Sequence, residues 1–106
     1  MSNLNAKEYK RFEDIKIIRT DGSEYWPARD LAPVLEYTKW ENFSKVIDRA
    51  MLACKNSGFN IADHFPDVRK MVDIGSNTKR RVKDYELTRY ACYLIVQNGD
   101  LPLSAV

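Results

Sequence analysis

Trp40, Phe43, Val46, Ile47, Ala50, Met51 and Cys54 recur at steps of three and four over fifteen residues, the period of one face of an α-helix. A helix with a single apolar stripe must lay that stripe against something else, so the rest of the chain has to supply a covering layer. Asn56-Ser57-Gly58 closes the stretch, glycine being the usual residue where a helix end turns left-handed.

The covering layer is legible on either side. Upstream, the β-branched Ile15, Ile17 and Ile18, the turn dipeptide Asp21-Gly22 and the aromatic pair Tyr25-Trp26 predict a β-hairpin that Pro27 ends. Ala28, Leu31, Val34 and Leu35 then fall at helical spacing. Pro33 interrupts them, which predicts a kink or a late start at Asp30. This helix and the next resemble a helix-turn-helix in outline, although a plain helical pair covering a sheet fits the pattern better. Downstream, Val68, Met71, Val72 and Ile74 lead into Gly75-Ser76-Asn77, and Arg81 to Tyr85 return from it. This predicts a second hairpin with a basic tip.

The stretch from Leu87 to Gln97 is apolar nearly all round and predicts a helix buried on most of its circumference, in this core or against a partner. Residues 1–11 are polar without apolar period and are expected to be a loose tail. The domain is expected over residues 12–100, with 101–106 a C-terminal tail. The fold class is therefore α+β: one small domain with two β-hairpins and about three helices. At 106 residues there is no room for a second domain.

Composition narrows the function. Cys54 and Cys92 sit inside apolar patterns without the close pairing of a redox or zinc motif, so they read as reduced core thiols. The longest apolar run, Ala91 to Val96, falls far short of the ~20 residues that cross a bilayer, and a cytoplasmic location without membrane contact is expected. The four glycines are widely separated, which excludes a phosphate-cradling loop. The only histidine, His64, is adjacent to neither cysteine, and a metal or general-base role would need a partner of fixed spacing that the sequence lacks. Asp63, Asp67, Asp84 and Glu86 would serve a metal nuclease only if loop and hairpin converged. No catalytic residue, metal ligand or cofactor is expected.

Charge is distributed unevenly although the net formal value is only +2. Residues 1–68 carry ten Lys/Arg against eleven Asp/Glu, whereas residues 69–106 carry seven against four. Lys79, Arg80, Arg81 and Lys83 on the second hairpin, with Arg69, Lys70 and Arg89 beside them, form a candidate footprint for phosphates. Alternation along the strand groups Lys79, Arg81 and Lys83 on one face and Arg80 with Val82 on the other.

Several segments also carry a likeness. Tyr25-Trp26-Pro27-Ala28-Arg29-Asp30-Leu31-Ala32, Leu35-Glu36-Tyr37 and Trp40-Glu41-Asn42-Phe43 resemble the opening of the BRO-type N-terminal domain of viral and phage proteins. Asp63-His64-Phe65, the run from Met71 to Arg80 and the run from Leu87 to Asp100 are similar to the bacterial DNA-damage-inducible protein D family. The resemblance spans about Phe12 to Asp100. It implies an α+β domain related to phage antirepressors and other DNA-binding regulators, a link to the DNA-damage response, and partners around DNA and its recombinase filament. Leu101 stands where that family places a proline, and the family's downstream region is missing, so a truncated product or excised domain is expected. Two functional classes follow: a nucleic-acid-binding domain using the basic hairpin, or a protein-interaction module docking on a recombinase filament or on its own copy.

Overall fold

A computed structural model of the chain describes residues 6–99, with side chains from residue 10 onward. Five helices and four strands follow in the order α1 (Ala6–Asp14), β1 (Ile17–Ile18), β2 (Glu24–Pro27), α2 (Ala28–Val34), α3 (Trp40–Asn56), α4 (Ile61–His64), β3 (Asp67–Gly75), β4 (Thr78–Leu87) and α5 (Arg89–Asn98). The α+β class and both hairpins are as the sequence predicts. The two hairpins join into one antiparallel sheet of order β1-β2-β4-β3. Trp26 faces Leu87 and Pro27 faces Glu86 at the seam.

The apolar stripe of α3 does what its spacing requires. Phe43, Val46, Ile47, Ala50 and Cys54 are buried, and α3 packs chiefly on α5. Ser57 caps the helix and Gly58 takes a φ of +86°, the left-handed conformation that glycine adopts without cost. Ala91, Cys92, Leu94, Ile95 and Val96 of α5 are buried in this same core. The apolar circumference of α5 is thus largely spent inside the chain, leaving Tyr93 as its exposed large apolar residue. Cys54 and Cys92 are free and buried, and burial pushes the Cys92 thiol well above its ordinary pKa.

Three differences from the sequence expectations have local causes. The loose tail expected through residue 11 is helical from Ala6, in a segment rich in good helix formers. Its anchor is Phe12, buried and stacked on Trp26 with ring centroids 4.6 Å apart, while the Trp26 indole donates to the Phe12 carbonyl at 2.9 Å. Leu87 ends β4 instead of opening α5. Thr88 is the N-cap, its hydroxyl accepting from the Ala91 N–H at 3.1 Å.

The helix predicted around Pro33 begins at Ala28, not at Asp30, and Pro33 falls near its C-terminal end. There Glu36 adopts a φ of 67° and Tyr37 N–H reaches back to the Ala32 carbonyl at 2.9 Å, a helix-ending geometry that stops α2 directly after the proline. His64 sits at the end of the short α4, binds the Thr88 hydroxyl at 2.7 Å and packs edge-on against the rings of Phe59 and Tyr90. It clamps the start of α5, a structural contact. Asp100 and the expected tail at 101–106 lie outside the described residues.

Candidate nucleic-acid interface

The β3–β4 hairpin positions most of the cations that the sequence singles out. Ser76 and Asn77 both have positive φ, 48° and 61°, the signature of a two-residue type I′ turn whose twist matches that of the flanking strands. A register shift between Asp73 and Gly75 leaves a bulge beside the turn. From there the ladder runs without interruption, Asp73 facing Lys79, Met71 facing Arg81, Arg69 facing Lys83 and Asp67 facing Tyr85. These residues share one face. The other carries Val72 opposite Arg80, Lys70 opposite Val82 and Val68 opposite Asp84.

Burial falls steeply from base to tip. Leu87, Tyr85 and Asp84 are buried, Lys83 and Val82 are half-buried, and residues 78–81 are exposed. Arg69, Met71 and Asp73 are placed along the neighbouring strand, and Met71 is exposed. Three cations lean on acids at long, solvent-exposed distances: Lys70 on Asp30 at 3.7 Å, Lys79 on Asp73 at 3.9 Å and Lys83 on Asp67 at 3.7 Å. Such pairs hold their partners weakly. The Tyr85 side chain raises the Lys83 pKa, with Asp67 adding to the effect. Arg69, Arg80 and Arg81 form no ion pair among the described residues.

Arg89 is placed differently. Its guanidinium binds Glu24 at 2.9 Å and Glu13 at 2.9 Å and lies 4.9 Å from the Trp26 ring centroid. These contacts raise its pKa, the hydrogen bonds to Glu24 contributing most. It ties α1, β2 and α5 together and is not gathered with the hairpin cations.

Two residues that charge counting does not single out fix the hairpin base. Asp84 is 3% exposed and is the sole buried charged side chain among the described residues. Its carboxylate accepts from the Arg29 N–H at 3.0 Å and the Tyr85 N–H at 2.8 Å, so it satisfies a donor at the start of α2. The Arg29 side chain donates to the Lys83 carbonyl at 2.8 Å and lies 3.9 Å over the Trp40 ring. Burial lowers the Arg29 pKa; the Asp84 charge opposes this shift and that of Arg80 adds to it. The only sequence signal for this pair is that Arg29 lies within the segment resembling the BRO-type domain.

The acids weighed for metal chemistry are occupied separately. Asp84 caps α2, Glu86 binds Arg19 at 2.8 Å, and Asp67 pairs with Lys83. No group of three or more potential metal ligands is present among the described residues. No described helix is long and apolar enough to cross a membrane.

The chain is 51% identical over 94 residues to DNA damage-inducible protein D of Escherichia coli (strain K12). That alignment covers 89% of this chain and 34% of the relative, so the chain spans about a third of the relative's length. No solved structure matches it. Residues 14–106 match the N-terminal domain of the BRO family, and the chain belongs to that family.

Proposed function

We propose that this domain is a non-enzymatic, DNA-damage-associated regulatory module that holds the phosphate backbone of nucleic acid with its β3–β4 hairpin in the cytoplasm. The observation carrying this reading is a two-stranded ribbon on which Arg69 near the base, and Arg80 and Arg81 on the outer half, have no acidic partner among the described residues. A guanidinium that spends nothing on an internal pair is available to a phosphate, and long side chains reach one without being buried. Lys79, Lys83 and Lys70 can exchange their long contacts with acids for phosphates at small cost. The name of the Escherichia coli relative, DNA damage-inducible protein D, supports the association with DNA damage.

Fluorescence anisotropy with single- and double-stranded DNA at two salt concentrations tests the proposal. Binding should weaken steeply with salt. Replacing Arg69, Arg80 and Arg81 with Ala should reduce the slope of log K against log salt by ~0.7–0.9 for each phosphate that is no longer neutralised. Lys79→Ala, Arg81→Ala and Lys83→Ala together should act in the same direction, more weakly if the two lysines stay on their acids. Binding without salt dependence, or unchanged in both triple variants, would transfer the role to a protein partner such as a recombinase filament.

A further inference from the structure

β3 is one of the two edges of the sheet, and it is the long one: nine residues against two in β1. Its only strand neighbour among the described residues is β4. Which of its backbone groups are free follows from a bond at its base. Glu86 N–H donates to the Pro66 carbonyl at 3.1 Å, just outside the pair formed by Asp67 and Tyr85. By the alternation of an antiparallel ladder, Val68, Lys70 and Val72 then direct their N–H and C=O groups toward β4. Arg69, Met71 and Asp73 turn theirs to the open edge.

A charged edge normally discourages strand addition. Here the charges are ordered so that one self-pairing is favoured over its neighbours. Two copies of β3 placed antiparallel about a two-fold axis at Met71 set Arg69 opposite Asp73 twice and Met71 opposite itself. Moving the axis to Lys70 sets Asp67 against Asp73. Moving it to Arg69 or Asp73 sets like charges face to face, and moving it to Val72 leaves Arg69 opposite Gly75. Opposite charges directly across a strand pair stabilise it and like charges destabilise it. Asp73 is free to exchange partners, since its contact with Lys79 is 3.9 Å long and its side chain is 80% exposed. Met71 is 55% exposed, an apolar residue at the centre of the favoured register.

We propose that a second copy of this chain adds antiparallel to the β3 edge about a two-fold axis at Met71, each Arg69 facing Asp73 of the other copy. The three outward-facing residues then exchange backbone hydrogen bonds across the axis. Because the axis is perpendicular to the sheet, the faces bearing Arg69 and Arg81 in the two copies lie on the same side. Recognition is through main-chain bonds with the charge order setting register, a form of strand addition.

Disulfide trapping tests the arrangement without nucleic acid, so its outcome is independent of phosphate binding. In the proposed register the two Cα atoms at position 71 are ~5.5 Å apart, within disulfide reach. Those at position 69 are separated by four residues along the strands, roughly 13 Å, and are out of reach. Met71→Cys should form a linked dimer under mild oxidation, while Arg69→Cys should not. The native Cys54 and Cys92 are buried and should stay out of the reaction. Adding Arg69→Asp to Met71→Cys should suppress linkage at least several-fold, and adding Asp73→Arg as well should restore it. Equal linkage at positions 69 and 71, no linkage at 71, or indifference to the charge changes would overturn the proposal.

Discussion

The β3–β4 hairpin passes through two environments within ten residues. At its base Tyr85 and Leu87 lie in the core beside Trp26, and Asp84 is closed off from solvent with both its acceptor contacts made inside the fold. At its outer half Lys79, Arg80 and Arg81 are exposed, and the two arginines lack an acidic partner among the described residues. The contrast with Arg89 is sharper still, since the same guanidinium chemistry serves opposite ends. Arg89, set against Glu13, Glu24 and Trp26, holds three elements together; Arg81 holds none. A cation stabilises the fold where acids from separate elements converge on it. Where none do, its charge remains available to an outside anion.

Three variants test this division between core and tip, beginning with the one expected to cost most. Phe43 is fully buried on α3, and Phe43→Ala should cost on the order of 3–5 kcal/mol. Against a total of ~5–15 kcal/mol, this should produce a large fall in the urea midpoint. A midpoint left unchanged would mean that the core does not rest on this helix.

Arg89→Ala should cost ~1–2 kcal/mol, reduced by the partial exposure of the ion pairs. It carries a pH signature. The Glu24 carboxyl is held below its ordinary value of 4.5, first by hydrogen bonding from Arg89 and further by Lys16. A depressed carboxylate contributes stability that is present above its unfolded pKa and is lost as the pH falls through the lower folded value. The parent should therefore lose stability on acidification below about pH 4.5 more steeply than Arg89→Ala, as followed by urea unfolding between about pH 3 and 7. Parallel profiles would remove the distinction between Arg89 and the tip arginines.

At the tip, Arg80→Ala with Arg81→Ala should change stability by no more than about 0.5 kcal/mol per site, because neither side chain supports a neighbour. The same denaturation measurement checks it. A loss comparable to that of Arg89→Ala would show the tip to be part of the folded core.

The elements legible in the sequence are those whose signal is local. The stripe from Trp40 to Cys54 marks α3 because each step of three or four returns to one side of a helix, and that side is buried. Gly75-Ser76-Asn77 marks the turn because positive φ favours such residues. Helix α1 is illegible by the same logic. Phe12 alone among its described side chains is buried, so there is no period to read, and its docking depends on Trp26 from another element. The apolar run from Leu87 hides the border between β4 and α5, because a buried strand end and a buried helix have the same composition. Only the Thr88 cap separates them.

The basic hairpin is legible from charge counting and alternation, and the pairing of Met71 with Arg81 and Arg69 with Lys83 keeps the predicted face together. Arg89 falls in with it in the sequence because proximity along the chain does not tell which acids a guanidinium will meet. Residue order alone suffices for the α+β class, the amphipathic helix and the two hairpins, since backbone preference and side-chain period act between residues a few positions apart. Long-range packing is what fuses the hairpins through Trp26 and Leu87, sets Asp84 on α2, and commits Arg89 to Glu13 and Glu24. Each of those outcomes depends on which distant groups close packing brings within a few ångströms, a matter of geometry that no local pattern encodes.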